Sequence, residues 1–478
     1  MTKFFIDQHG CAKNQTDGEF LAGYLIKNGF SMTQNPAQAD FIIVNSCGFI
    51  ESAKKESIGA IYSIKKTYPE AKIILAGCLA ERYAKMFYDS MPELDGVFGN
   101  GDLSKIVEFI HSMENKGREV QVFGQNGVCC GERPVLFNFP GSAYVKITEG
   151  CSNHCSFCAI PLIRGELRSR KIDSIIQEIK NLVEHGVYEI NLIGQDLAAF
   201  GTEKGFSDEK INSNPCQSPL SILLSEISKI EGDFIIRPLY IHPDHFTEDI
   251  LEPMQKDTRL LPYFDIPFQS GDDNIILAMN RTGSREKYEN LIKNIREKFP
   301  HAVLRTTFLT GFPGETEEAA ENTYNFLNDI QPQWSGCFNY SREEDTPAYS
   351  MKHKVPVSLA KKRAKRLEEL QSHITAKKLE QYIGQEFDVL VEEIIQIPED
   401  DLNKDEGLAI GRTWFQAPEV DGSVVIRYDS DNQLQVKAVQ KGNVVRVKIL
   451  ASTGVDLDSR FEKIVKEFPQ NELRKFTL

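Results

Sequence analysis

Short apolar runs alternate with helical periodicities through the first part of the chain. KFFIDQ (3–8), DFIIVNS (40–46) and AKIILAG (71–77) have strand length and strand composition. Each gives way to a stretch with helical spacing: residues 15–28, ESAKKESIGAIYSIKK (51–66) and LAERYAKMFYDS (79–90). Repeated β-α units predict a parallel, doubly wound sheet over 1–114. GQNG, a Cys-Cys pair and nearby prolines then break the pattern, and 115–136 is expected to be a linker. Six further strands follow: SAYVKITE (142–149), YEINLIG (188–194), DFIIRPLYI (233–241), PYFDIPF (262–268), AVLRTTFL (302–309) and SGCFNY (335–340). With helical segments between most of them, they predict a partial TIM-type (βα)6 barrel over 137–375. A Lys- and Arg-rich helix near 355–382 leads to EFDVLVEEI, LAIGRTWFQ, SVVIRY and VVRVKIL. These short strands predict a small C-terminal β-barrel over 376–452. The polar residues 453–478 are expected to be an added helix or tail. The fold class is α/β, in three parts.

Composition narrows the setting. With 41% apolar and 26% charged residues, 478 residues support large packed cores. The start MTKFFIDQHG is no signal peptide, and no apolar run approaches the ~18 residues of a membrane span. A soluble, cytoplasmic protein without membrane partners is expected. The net charge of −14 disfavours nucleic acid as a direct substrate and suits a basic partner. Ten cysteines in such a chain point to metal or redox chemistry rather than a disulfide framework.

Three of them stand in EGCSNHCSFCAIP, which gives Cys151, Cys155 and Cys158 the spacing C-x-x-x-C-x-x-C just after the first barrel strand. Barrel active sites are built at that end of the strands. Thiolates suit iron–sulfur clusters, and three of them leave one iron of a four-iron cluster open to substrate. The alternative is zinc with His154 or a distant residue as fourth ligand, although only one close C-x-x-C pair is present. Cys11, Cys47 and Cys78 each follow a predicted parallel strand within a few residues. The carboxyl ends of neighbouring strands line one crevice, so these thiols are expected to converge. Cys129, Cys130, Cys216 and Cys337 read as structural or incidental, and His242 and His245 as loop polar residues.

The triplet resembles the radical S-adenosylmethionine superfamily, whose C-x-x-x-C-x-aromatic-C pattern Phe157 completes. The resemblance implies that the open iron chelates S-adenosylmethionine, which one electron splits into methionine and a 5′-deoxyadenosyl radical. Candidate cofactor-binding residues are Phe157, Gln195 and Asp196 after the second barrel strand, and Gln269 with Ser270 after the fourth. Gly311 and Gly314 join them, in the turn TTFLTGFPGETEE, whose backbone N–H groups are expected to be free for a ligand. A plain βα turn remains the alternative there.

The six cysteines in order, within GCAKN, VNSCGFI, GC and EGCSNHCSFCAIP, resemble the methylthiotransferases from about residue 2 to 452. GCAKN, CGFIESAKKES and GRTWFQAPEVDG are similar to the branch that modifies an aspartate of the twelfth small-subunit ribosomal protein. That family implies two 4Fe–4S clusters, on Cys11, Cys47 and Cys78 and on Cys151, Cys155 and Cys158. It also implies a C-terminal module of the TRAM type, and a sulfur methylated by one S-adenosylmethionine. A second S-adenosylmethionine supplies the radical that opens the β-carbon of the aspartate. An electron donor such as reduced flavodoxin is expected. His9, His242 and PFQSGD depart from the branch's pattern and bear on substrate contacts, not on the clusters. Between Gly384 and Leu450, seven Lys and Arg stand against thirteen Asp and Glu, the wrong sign for gripping phosphates. Transfer-RNA adenosine methylthiolation and a zinc-stabilised RNA-binding protein are the alternative readings.

Overall fold

A computed structural model describes residues 1–122, 131–396 and 406–469. The N-terminal strands are β1 (Lys3–Gln8), β2 (Ser31–Met32), β3 (Phe41–Ser46), β4 (Lys72–Gly77), β5 (Gly96–Phe98) and β6 (Glu119–Gln121). All pairings are parallel, in the order β2-β1-β3-β4-β5-β6. Helices α1 (Ala12–Lys27), α2 (Glu51–Thr67), α3 (Cys78–Ser90) and α4 (Ile106–Lys116) cover its two faces. Phe20, Leu21, Phe98 and Phe109 fill one apolar layer; Ile61, Leu75, Leu79 and Phe87 fill the other. The doubly wound sheet is as expected.

The linker is shorter than composition suggests. Residues 119–121 form the edge strand β6, because three residues are too few for a periodicity to register while their backbone still pairs with β5. Further on, Arg133 is buried against Glu19 of α1 at 2.6 Å and against Glu178 of the core, which pins the connection to both sides. Cys129 and Cys130 lie outside the described residues.

The core strands are β7 (Ser142–Lys146), β8 (Thr148–Glu149), β9 (Arg168–Ser169), β10 (Glu189–Ile193), β11 (Ile235–Pro238), β12 (Tyr263–Asp265), β13 (Val303–Thr310) and β14 (Trp334–Asn339). Six of them are the expected barrel strands. They pair as β7-β10-β11 and β12-β13-β14, and a single parallel bridge, Ile236 to Leu260, joins the halves. β7 and β14 do not pair among the described residues, so the barrel is partial, and α1 packs beside β7. The small pair β8 and β9 is antiparallel and closes the base of the cysteine loop.

The helix Val357–Glu380 leads from the core to β15 (Glu386–Ile395), β16 (Glu406–Arg412), β17 (Val424–Asp429), β18 (Val444–Ser452) and β19 (Leu457–Lys466), a closed barrel ordered β15-β16-β17-β19-β18. Here the expected tail is corrected: residues 457–466 are a barrel strand. LDSRFEKIVK carries few apolar side chains, so its pattern looks solvated. Its role is to close the gap between β17 and β18 through backbone hydrogen bonds, and closure removes the exposed edges of a sheet.

The segment RTWFQAPEVD seats this barrel on the amino ends of the core strands. Arg412 reaches both carboxylate oxygens of Glu189 at 2.9 and 2.7 Å and Glu392 at 2.6 Å. Arg237 bonds Glu189 at 2.9 Å and the Trp414 carbonyl at 2.6 Å. The Trp334 indole donates to the Phe415 carbonyl at 2.8 Å, and the Tyr263 hydroxyl to Asp421 at 2.6 Å.

Candidate active site

The first thiol trio follows from the sheet. β1, β3 and β4 are neighbours, and Cys11, Cys47 and Cys78 lie just past their carboxyl ends. Ser46 and Gly77 pair across the sheet, so Cys47 and Cys78 emerge side by side. A Cβ built on Gly10 would lie 3.0 Å from Cys47 Cβ, which brings the Cys11 turn onto the same spot. Gly77 has φ 87°, and a Cβ there would meet Asn45 Oδ1 at 2.6 Å. Only glycine lets β4 pass straight into α3 with Cys78 as its first residue.

The second trio sits on the loop between β8 and β9. Gly150 has φ 72°, and a Cβ there would stand 2.1 Å from the Glu166 carbonyl oxygen, so the two ends of the loop touch. Cys151 N–H donates to Gly165 O at 2.9 Å, and α5 (Ile160–Arg164) follows Cys158. Phe157 packs on the apolar cluster of Ile275, Met279, Leu309 and Phe312 and so fixes the loop from beneath.

Burial pushes the Cys78 thiol up to about 12, and the neighbouring Cys47 and Cys11 add to this while Arg164 opposes it. Cys47 is raised chiefly by burial as well. In the second trio burial takes Cys151 up to about 12, and Cys158 is raised by burial with Cys155 and Cys151 beside it. Thiols raised in this way give up their protons when a bound cation compensates the charge. None of the six is in a disulfide. His154, the fourth ligand of the zinc alternative, is 56% exposed and faces Glu166 at 3.5 Å. Three sulfurs in C-x-x-x-C-x-x-C spacing fit an iron–sulfur cluster with one open iron.

A cavity of about 230 Å³ opens beside Cys151, lined among others by Asn153, Asp196, Thr202, His245 and Asn280. Asp196 is a buried part of its lining. Its carboxylate accepts from His245 Nδ1 at 2.6 Å, Asn153 Nδ2 at 3.0 Å, and the Ala198 and His242 N–H groups at 3.1 Å each. Asp196, His242 and His245 cluster closely enough to hold a metal ion, but four donors already occupy the carboxylate, which makes it an anchor for the cavity wall. His242, read from sequence as a loop residue, is buried with Nε2 3.9 Å from Cys155 Sγ. Its Nδ1 accepts the Asp244 N–H, which leaves the proton of the neutral ring on Nε2, facing the sulfur. Burial lowers His242 to about 3, so the ring is neutral.

The expected glycine-rich turn is corrected. Gly311 N–H is taken by Glu315 Oε2 at 2.7 Å and Gly314 N–H by His353 O at 2.9 Å, so neither is free for a ligand. Gln269 has φ 70° and bonds β13 on both sides through its backbone, while the Ser270 hydroxyl meets Thr323. Gln195 is half-buried at the end of β10. Sequence reasoning missed Lys13: its ammonium sits 3.0 Å above the Tyr240 ring, and burial lowers it to about 8. Its only sequence signal was its place inside GCAKN. Cys216 is exposed, and Cys337 lies in β14.

Residues 145–327 match the family model described as the radical SAM superfamily, and residues 383–461 that of the TRAM domain. Residues 3–99 match the model described as Uncharacterized protein family UPF0004. Among solved structures, the radical S-adenosylmethionine methyltransferase TsrM from Kitasatospora setae has a similar fold. Its TM-score is 0.51 at 14% identity, covering 73% of this chain and 77% of that one. Fold and site together define a radical SAM enzyme, a class that carries a 4Fe–4S cluster and S-adenosylmethionine. The ribosomal protein uS12 methylthiotransferase RimO of Treponema denticola is 51% identical, over 95% of this chain and 99% of its own. That of Desulforamulus reducens is 38% identical, over 94% and 97%. The chain belongs to the RimO family of radical SAM methylthiotransferases.

Proposed function

We propose that this enzyme adds a methylthio group to the β-carbon of an aspartate in ribosomal protein uS12, using two 4Fe–4S clusters and two molecules of S-adenosylmethionine. The observation that carries the reading is the second thiol trio, the exposed Cys11, half-buried Cys47 and buried Cys78, which a single-cluster radical enzyme has no use for. Bound to Cys151, Cys155 and Cys158, a cluster would supply the electron that splits S-adenosylmethionine, and the auxiliary cluster would supply the sulfur. The chain's own residues shape the reaction space. Phe157 and α5 hold the radical loop, and Asp196 with His245 and Asn153 builds the wall beside it. Lys13 of α1 stacks its ammonium on Tyr240 of the core. The β-carbon C–H is far too weakly acidic for a side-chain base, so removal of a hydrogen atom is required.

The substrate reading is supported by the relatives, whose names specify uS12, and by the acidic barrel segment, which suits a basic protein better than free RNA. Reduced flavodoxin or a similar one-electron donor would work with it in the cytoplasm. Mass spectrometry of uS12 from cells with and without the gene tests the reading: the modified aspartate is expected only in its presence. An unchanged aspartate together with loss of a methylthio group from transfer-RNA adenosine would move the enzyme to a nucleic-acid substrate.

A further inference from the structure

Helix α5 ends at Arg164, whose guanidinium reaches out of the radical core into the N-terminal domain. Nη2 lies 3.1 Å from Cys78 Sγ and 2.9 Å from Asp17 Oδ2, and Nη1 lies 2.8 Å from Glu149 Oε1. The side chain is 2% exposed. The next residue, Gly165, accepts the Cys151 N–H at 2.9 Å. One dipeptide therefore touches a ligand sulfur of one trio and the backbone of a ligand in the other. Cys78 also packs on Ala159, just before α5, and on Ile163 within it, so the wall behind it belongs to the radical core. Its other polar neighbours are the Asn100 amide, 3.6 Å away, and Asn14 Oδ1, at 3.9 Å.

The charges around Arg164 make its third contact informative. Lys146 bonds Asp17 and also Glu149, the latter at 2.5 Å. Two cations and two carboxylates thus pair among themselves, all buried, with the buried Lys13 ammonium within electrostatic reach of Arg164 and Glu149. The bond toward Cys78 is not needed for that pairing. It acquires a charged partner when Cys78 is a thiolate, as it is when it ligates iron.

We infer that Arg164 is a positioning residue for the auxiliary cluster: it donates a charged N–H···S bond to the Cys78 thiolate and ties that cluster to the radical loop. The inference rests on the proposed role of Cys11, Cys47 and Cys78 as cluster ligands. A cationic donor to a ligand sulfur stabilises the more negative, reduced cluster and raises its reduction potential.

The test uses full-length protein with Cys151, Cys155 and Cys158 changed to Ala, so that only the auxiliary cluster contributes signal. Arg164→Met, Arg164→Lys and Asp17→Asn are introduced separately, and the potential is read by redox titration with electron paramagnetic resonance. Arg164→Met is expected to shift the potential negative, and Arg164→Lys to shift it less in the same direction. Asp17→Asn removes a negative charge from the same quartet and is expected to shift it positive. A merely structural role predicts shifts of one sign, because both residues hold the same network. Shifts of the same sign, or unchanged potentials at parental iron loading, overturn the inference. If Arg164→Met does not fold, the signs for Arg164→Lys and Asp17→Asn decide by the same rule. A parental protein without iron overturns the two-cluster reading itself, and this inference with it.

Discussion

One buried carboxylate draws several donors at the joint between the C-terminal barrel and the core. Glu189 accepts from Arg412 at 2.7 and 2.9 Å, Arg237 at 2.9 Å and the Ser142 hydroxyl at 2.8 Å. Breaking a buried ion pair by removing one partner costs roughly 3–5 kcal/mol, because the other charge is left uncompensated. Glu189→Gln leaves buried Arg237 without a carboxylate and Arg412 with Glu392 alone, so the upper end, about 5 kcal/mol, is expected. Arg412→Met leaves Glu189 held by Arg237 and Ser142 and strands only Glu392, so the lower end, about 3 kcal/mol, is expected. The protein contains two tryptophans, Trp334 and Trp414, and both sit at this joint. Urea titration followed by tryptophan fluorescence therefore reads the joint directly. With m near ~2 kcal/mol per molar for a module of this size, the midpoint should fall by roughly 1.5 M for Arg412→Met and by more for Glu189→Gln. Adding Glu392→Gln to Arg412→Met should recover part of the loss. The reverse order of the two single variants, or losses below ~1 kcal/mol for both, would refute the assignment of the joint to this carboxylate.

Anaerobically prepared enzyme is expected to hold about eight iron atoms per chain, and the triple change of Cys151, Cys155 and Cys158 to Ala about half of that by iron assay. Retention of all the iron would sink the two-cluster proposal. Cys47→Ala should still release 5′-deoxyadenosine under strong reductant while transferring no sulfur, and Cys155→Ala should lose the cleavage; product chromatography separates the two. Gly77→Ala forces a left-handed residue and a 2.6 Å contact, and is expected to cost about 1–3 kcal/mol in thermal melts and to lower auxiliary iron. Association with uS12, measured by surface-immobilised titration, should weaken as salt rises from low ionic strength, because exposed charges more than ~10 Å apart are screened at 0.1 M.

Much of this fold was legible because its strands are continuous apolar runs and its helices periodic. FIIVNS and KIILAG have the length and β-branched content of buried strands, and the cysteine that follows each marks where the chain turns. The same logic failed where backbone pairing, not side-chain burial, makes the element. β6 has three residues and β19 has mostly polar ones, so neither carries a pattern to read, yet each completes a sheet. GRTWFQAPEVDG was legible as a marker of a family branch. Its physical role, as the segment that seats the barrel on Glu189, needed the fold.

The site divides along a similar line. Thiol trios were visible because their spacing and strand positions converge by topology alone, and Gly77 before Cys78 and Gly150 before Cys151 follow from tight turns. What stayed hidden was every contact made across the domain seam. The polar stretch KNQTDGE after Cys11 reads as a solvated helix face, but α1 lies between the N-terminal sheet and β7 and buries all of it. A polar residue in such a place must find a partner, and for the two acids the partners come from outside the N-terminal domain: Lys146 and Arg164 of the core for Asp17, Arg133 of the connection for Glu19. Arg164 itself reads as an ordinary basic residue at a helix end. A polar helix that directly follows a ligand cysteine thus carries two meanings, solvated surface or buried seam. The ions on the facing strand decide between them, since Lys146 in the otherwise apolar AYVKI has no reason to be there unless an acid from elsewhere meets it.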